Sequence, residues 1–171
     1  MNPMSWSRGL SVEVGGSGVV SHTGSAAVRL LADRVGLTAG LSKALVRSGF
    51  TPVHDRGGVL RDLAVMLADG GTTISEIATL RDQGELFGPV ASMPTTWRAL
   101  REITPAALTR IAGARAKARK HVWKLIKGRH GKIPGVKIAD RSLDGVVGIR
   151  LDASIVIAHS DKADAAPTFN R

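Results

Sequence analysis

The stretch Thr104-Pro105-Ala106-Ala107-Leu108-Thr109-Arg110-Ile111-Ala112-Gly113-Ala114-Arg115-Ala116-Lys117-Ala118-Arg119-Lys120-His121-Val122-Trp123-Lys124-Leu125-Ile126-Lys127 decides the fold class. Thr104 is a favoured N-cap. Pro105 suits the first helical position, where a missing N–H costs nothing. Leu108, Ile111, Ala114, Ala118, Val122 and Leu125 recur at helical spacing and predict one apolar face. Arg110, Lys117, Lys120, Lys124 and Lys127 fall on the other side. The pattern predicts a long helix with one packed face and one cationic stripe, in a mainly α protein. Arg115 points toward the apolar side and has no explanation in the pattern.

Working back from Thr104, shorter helices follow one another. From Gly24 the periodicity is helical, with Val28, Leu30, Leu31 and Val35 on one face and a stop at Gly36. Leu41, Leu45 and Val46 predict a second helix ending at Gly49. A third spans about Arg56 to Asp69, with Val59, Leu60, Leu63, Met66 and Leu67 inward and Gly70-Gly71 as its stop. Thr73-Ile74-Ser75-Glu76 reads as a capping box opening a helix to about Asp82. Gly84, Gly88-Pro89 and Pro94 interrupt the chain. Pro94 then opens a short helix with Trp97, Leu100 and Ile103, in which Trp97 is expected as a core anchor. The helices at 73–82 and 94–103 form a loose helix-turn-helix pattern, joined by more residues than the usual turn. Residues 1–23 are rich in Gly and Ser. Ser11–Val14 and Val19–His22 carry a weak β signal.

Downstream of the long helix, Gly128, Gly131, Pro134 and Gly135 mark a basic linker. Ile149-Arg150-Leu151-Asp152-Ala153-Ser154-Ile155-Val156-Ile157-Ala158 then reads as a buried strand. An aspartate inside an apolar strand is costly unless it is paired, and a metal ion is one such partner.

The net charge is +10, and its location is more telling than its size. Between Arg98 and Lys137 there are twelve Lys and Arg against a single acid, Glu102, and the remainder of the chain is close to neutral. A basic segment this concentrated predicts a polyanion partner, with phosphate contact from Arg98, Arg101, Arg110, Lys117, Lys120, Lys124, Lys127, Arg129 and Lys132. Aromatic content of 4% disfavours single-stranded RNA, whose recognition leans on stacking. The same scarcity leaves the core to Leu, Val, Ile and Ala. Cysteine is absent, which removes disulfides and thiolate zinc sites. Apolar runs are too short for a membrane span, and no secretion signal is expected. The five histidines lack metal-ligand spacing. His159 falls on the strand face opposite Asp152, and its neighbours Ser160 and Asp161 cannot supply triad geometry. Gly15-Gly16-Ser17-Gly18 lacks the lysine and following helix of a phosphate loop.

Several blocks, in order, resemble bacterial DDE-type insertion-sequence transposases. They are Asp62-Leu63-Ala64-Val65-Met66-Leu67-Ala68-Asp69-Gly70-Gly71, Leu80-Arg81-Asp82-Gln83, Leu86-Phe87-Gly88-Pro89-Val90-Ala91-Ser92 and Pro94-Thr95-Thr96-Trp97-Arg98. The last are Leu151-Asp152-Ala153-Ser154-Ile155-Val156, Ala158-His159-Ser160-Asp161-Lys162 and Ala165-Ala166-Pro167-Thr168-Phe169. The resemblance implies an enzyme that binds the ends of its own mobile element and performs metal-dependent DNA cleavage and strand transfer. It implies a ribonuclease-H-like catalytic fold in which two Asp and one Glu hold magnesium. Asp152 matches the first of these acids and is the metal candidate. Ser154 stands where the family usually has Thr, and the other two acids would fall beyond Arg171.

The expected organisation is therefore an N-terminal arm at 1–23, a helical DNA-binding domain at 24–137, and the start of a catalytic domain at 138–171. The chain reads as the N-terminal portion of a transposase. It is expected to bind double-stranded DNA and to be catalytically incompetent and metal-free alone. Self-association as a homodimer and a place on the bacterial nucleoid in the cytoplasm complete the expectation. The alternative is a standalone non-enzymatic DNA-binding regulator, such as a transposition inhibitor.

Overall fold

The computed structural model describes residues 22–143, together with 146 and 148. Among them the architecture is mainly α. Helices α1 (Thr23–Arg34), α2 (Leu37–Leu45) and α3 (Arg56–Ala68) come first. A 3₁₀ turn at Ile74–Glu76 runs into α4 (Ile77–Arg81), followed by α5 (Gly84–Phe87) and α6 (Met93–Arg101). The longest helix is α7 (Pro105–His130), and a two-stranded antiparallel hairpin follows as β1 (Val136–Ile138) and β2 (Arg141–Leu143). The chain divides into two compact units between Ile133 and Pro134.

Local signals set the helix ends. Thr104 caps α7 by accepting a hydrogen bond from the Ala107 N–H at 3.2 Å. Asp55 does the same for α3, taking the Gly58 N–H at 2.7 Å. At the other end of α3, Gly71 N–H donates to the Met66 carbonyl and Gly70 N–H to that of Leu67. These two bonds close a Schellman motif, and Gly70 adopts the left-handed φ of 101° that the motif requires. The Glu76 carboxylate accepts the backbone N–H groups of Thr72 and Thr73, both at 2.6 Å. Those hydrogen bonds, Thr73 first, hold its carboxyl below the usual range.

The first unit is built around α2 and α3. α2 packs most extensively against α3 and α7, and α1 lies against α3. The main core joins Ala26, Val65, Met66, Ile77, Leu80, Phe87 and Val90, with a smaller cluster of Val59, Ala91 and Ala99. Phe87, Ile77 and Leu80 are fully buried, each contributing about 1.5–3 kcal/mol of hydrophobic stabilisation. α2 and α3 touch backbone to backbone. A Cβ on Gly57 would stand 2.1 Å from the Ser42 backbone nitrogen, so only glycine fits there.

α1 turns a different face inward from the one its Val and Leu spacing predicts. Ser25, Ala26 and Arg29 are buried, whereas Val28 and Leu31 are exposed. The reason is polar. Arg29 Nε lies 3.1 Å from Asp62 Oδ1 on α3. Arg61 bridges the same Asp62 oxygen from Nη2 at 2.9 Å and reaches Asp33 Oδ1 on α1 from Nη1 at 3.1 Å. Two arginines and two aspartates thus make a charge-balanced quartet between α1 and α3, and all four side chains are nearly out of solvent. Burial pushes the Asp62 carboxyl up and the Arg29 guanidinium down, while the neighbouring opposite charges pull each back. Leu67, expected inward on α3, is also exposed.

Trp97 is 52% exposed, contrary to its expected place in the core. α6 faces inward through Thr96 and Ala99, three residues apart, and Trp97 falls about 100° around the helix from Thr96. On α7, Ala107, Ala114 and Ala118 are buried, but Leu108 and Leu125 are exposed. Leu108 falls about 100° around the helix from Ala107, and length explains Leu125. The nine residues of α2 span about 14 Å, whereas the 26 of α7 span about 39 Å, so α2 covers only part of α7.

In the second unit the hairpin pairs Val136 with Leu143 and Ile138 with Arg141. Its two turn residues, Ala139 and Asp140, both have positive φ, as in a type I′ turn. The expected strand at 149–158 with Asp152 lies outside the described residues, as does nearly all of the expected arm at 1–23.

Candidate nucleic-acid interface

The basic segment resolves into distinct groups. Lys117, Lys120, Lys124 and Lys127 are all exposed on α7, at spacings that keep them on one stripe about 15 Å long. Together with His121, Trp123 and Ile133 they line an open depression of about 470 Å³. Among the described residues no carboxylate forms an ion pair with any of the four. Beyond Ala118 no residue of α7 is buried, so this half of the helix stands clear of the helices packed on its first half.

Trp123 was not among the expected contact residues. It is 45% exposed and lies between Lys120 and Lys127, three residues after one and four before the other. The signal was present in that spacing, which puts all three on one helix face. An exposed indole among these lysines offers apolar contact beside a line of positive charge.

The other expected residues are deployed differently. Arg110 is anchored to a neighbouring helix at one atom. Its Nε donates to the Ala44 carbonyl at 2.8 Å, tying α7 to the end of α2. Arg98 folds back on its own helix, from Nε to the Pro94 carbonyl at 3.3 Å and from Nη2 to the Thr95 hydroxyl at 3.2 Å. Arg101 is exposed on the last turn of α6. Arg129 and Lys132 are exposed near the end of α7, where positive charge also suits the helix dipole. Arg115, which the pattern left unexplained, is exposed.

Glu102, the one acid of the segment, is fully engaged. Arg56 binds it through two hydrogen bonds, and Arg47 lies 3.6 Å away. The Arg56 hydrogen bonds are the main reason its carboxyl sits below the usual range.

The described residues contain no group of three His, Asp or Glu able to hold a metal ion, and Asp152 lies outside them. Asp69 sits between His22 and Ser25 and contacts both. With the carboxylate in the middle, the Ser25 hydroxyl has no imidazole base, so the cluster lacks the order of a nucleophilic triad. No helix among the described residues is long and apolar enough to cross a membrane.

Comparison of the chain with protein-family models, curated proteins and solved structures finds no match in any of the three.

Proposed function

We propose that this chain binds double-stranded DNA through the exposed half of α7, as the DNA-binding portion of a DDE-type insertion-sequence transposase. The carrying observation is the stripe Lys117, Lys120, Lys124 and Lys127, exposed, without a carboxylate partner among the described residues, and set around Trp123. Lysines held apart from carboxylates keep their full charge for phosphates, and their neutralisation of a duplex releases counterions. A stripe about 15 Å long matches roughly four base-pair steps along the DNA axis. The sequence blocks around Asp62, Leu80, Phe87 and Pro94 support the family. In that family the DNA would be the ends of the mobile element, and Asp152 would be the first acid of the magnesium site. The working location would be the bacterial nucleoid.

The test is a titration of a fluorescent duplex with the full chain at several salt concentrations. Saturable binding with a log–log salt slope of about −4 to −5 is expected, from four to six neutralised phosphates. Absence of binding at low salt, or binding indifferent to salt, overturns the reading.

A further inference from the structure

A second basic cluster lies apart from the lysine stripe, and Arg110 belongs to it. Where α2, α6 and α7 meet the start of α3, a cavity of about 330 Å³ opens. Its charged lining is Arg47, Arg56, Arg110 and Glu102, and its apolar walls include Leu45, Ala99 and Ala107. Three guanidinium groups therefore surround one carboxylate. Glu102 neutralises one positive charge, and the lining keeps a surplus of two.

The hydrogen-bonding capacity is also in surplus. Arg56 spends Nε and Nη2 on Glu102, at 2.8 and 2.9 Å. Arg110 spends only Nε, on the Ala44 carbonyl, and its side chain makes no other hydrogen bond among the described residues. The Arg47 side chain makes none there. Its guanidinium stands over the Phe50 ring, 5.3 Å from the centroid, with Nη1 3.6 Å from Glu102. Two guanidinium forks with open donors thus line a cavity in which Glu102, the acid among its described lining residues, is already hydrogen-bonded to the third. A guanidinium fork matches the paired oxygens of a phosphate, and apolar walls strengthen the attraction by lowering the local dielectric.

We propose that this cavity is a phosphate-binding site, in which Arg47 and Arg110 grip the oxyanion while Glu102 holds Arg56 in place as the third positive wall. Two sources share this chemistry: a backbone phosphate of a bound duplex, and a free phosphorylated small molecule. Only the first rests on the DNA-binding reading.

The full chain, labelled with ¹⁵N at arginine, is titrated with inorganic phosphate against chloride at constant ionic strength. Saturating shifts of the Arg47 and Arg110 side-chain signals are expected. Arg47→Gln and Arg110→Gln should each weaken phosphate binding about tenfold or more, the loss of one charge-assisted contact. Arg81→Gln, exposed on α4 and outside both basic clusters, serves as the control and should bind phosphate as the native chain does. Duplex binding separates the sources. A salt slope shallower by about one in Arg47→Gln assigns the site to a DNA phosphate. An unchanged slope with phosphate binding lost assigns it to a free phosphorylated ligand. Saturable phosphate binding without any duplex binding keeps the site and removes the DNA reading. Shifts that do not saturate in the native chain, or an Arg47→Gln variant that binds phosphate as tightly as the native chain, overturn the proposal.

Discussion

Glu102 grips Arg56 through two parallel hydrogen bonds, Nε to Oε2 at 2.8 Å and Nη2 to Oε1 at 2.9 Å. The pair ties the end of α6 to the first residue of α3. It also answers why a lone acid stands in a segment of twelve bases: the acid is turned toward Arg56 and Arg47, away from any ion pair with the lysines of α7.

A pH dependence follows from this pair and from Glu76. Both carboxyls are held below their usual range, Glu102 mainly by Arg56 and Glu76 mainly by the Thr73 N–H. The folded state therefore binds protons less readily than the unfolded chain at these sites. Their stabilisation is complete above the ordinary carboxylate range, about pH 4.3, and is lost as pH falls through their depressed folded values. Thermal midpoints measured from neutral pH downward should drop over that range. Glu102→Gln should flatten the drop, and an acid limb identical to the native chain's would remove Glu102 from the linkage.

The buried quartet predicts a large cost for leaving one charge alone. Asp62→Ala removes the carboxylate that Arg29 and Arg61 share, leaves one positive charge of the quartet unbalanced between α1 and α3, and should destabilise the fold by about 3–5 kcal/mol. Urea denaturation followed by helix signal measures this. A loss under about 1 kcal/mol would mean that solvent reaches the pair.

Much of this fold was legible where the signal is local. Thr104-Pro105 marked the start of α7, Gly70-Gly71 the end of α3, and Thr73 to Glu76 the cap of the 3₁₀ turn leading into α4, because each acts on backbone groups within a few residues. What depends on a neighbouring helix was not legible. Val28 and Leu31 looked like the inner face of α1, yet the partner face of α3 presents Asp62, so Arg29 goes inward. Hydrophobic spacing records which residues tolerate burial, not which surface they will meet. The same limit applies to Arg110, which the helical pattern placed with the lysines and the structure ties to Ala44. Trp97 was misplaced for the same cause, since α6 turns Thr96 and Ala99 toward its neighbours.

Gly57 gives a sharp packing test. Gly57→Ala would set a methyl 2.1 Å from the Ser42 nitrogen and 2.5 Å from its Cα, both backbone atoms that cannot swing aside. A destabilisation near the upper end of overpacking costs, about 3 kcal/mol, is expected in the same denaturation assay. Gly24→Ala, where a Cβ meets nothing, should not destabilise. Equal stability of the two variants would contradict the close approach of α2 and α3.

The contrast between Phe87 and Trp97 tests the core directly. Phe87→Ala empties a fully buried site and should cost about 3–5 kcal/mol. Trp97→Ala removes a larger side chain from the surface and should cost well under half of that. The reverse order would restore Trp97 to the core.

The salt dependence of duplex binding by a variant with Lys117, Lys120, Lys124 and Lys127 all changed to Gln bears most directly on the DNA-binding claim. Removing four phosphate contacts should flatten the log–log slope by about 3–4, while Arg115→Gln, on another face of α7, should change it little. A quadruple variant that keeps the native slope and affinity would contradict the claim and take the exposed half of α7 off the DNA.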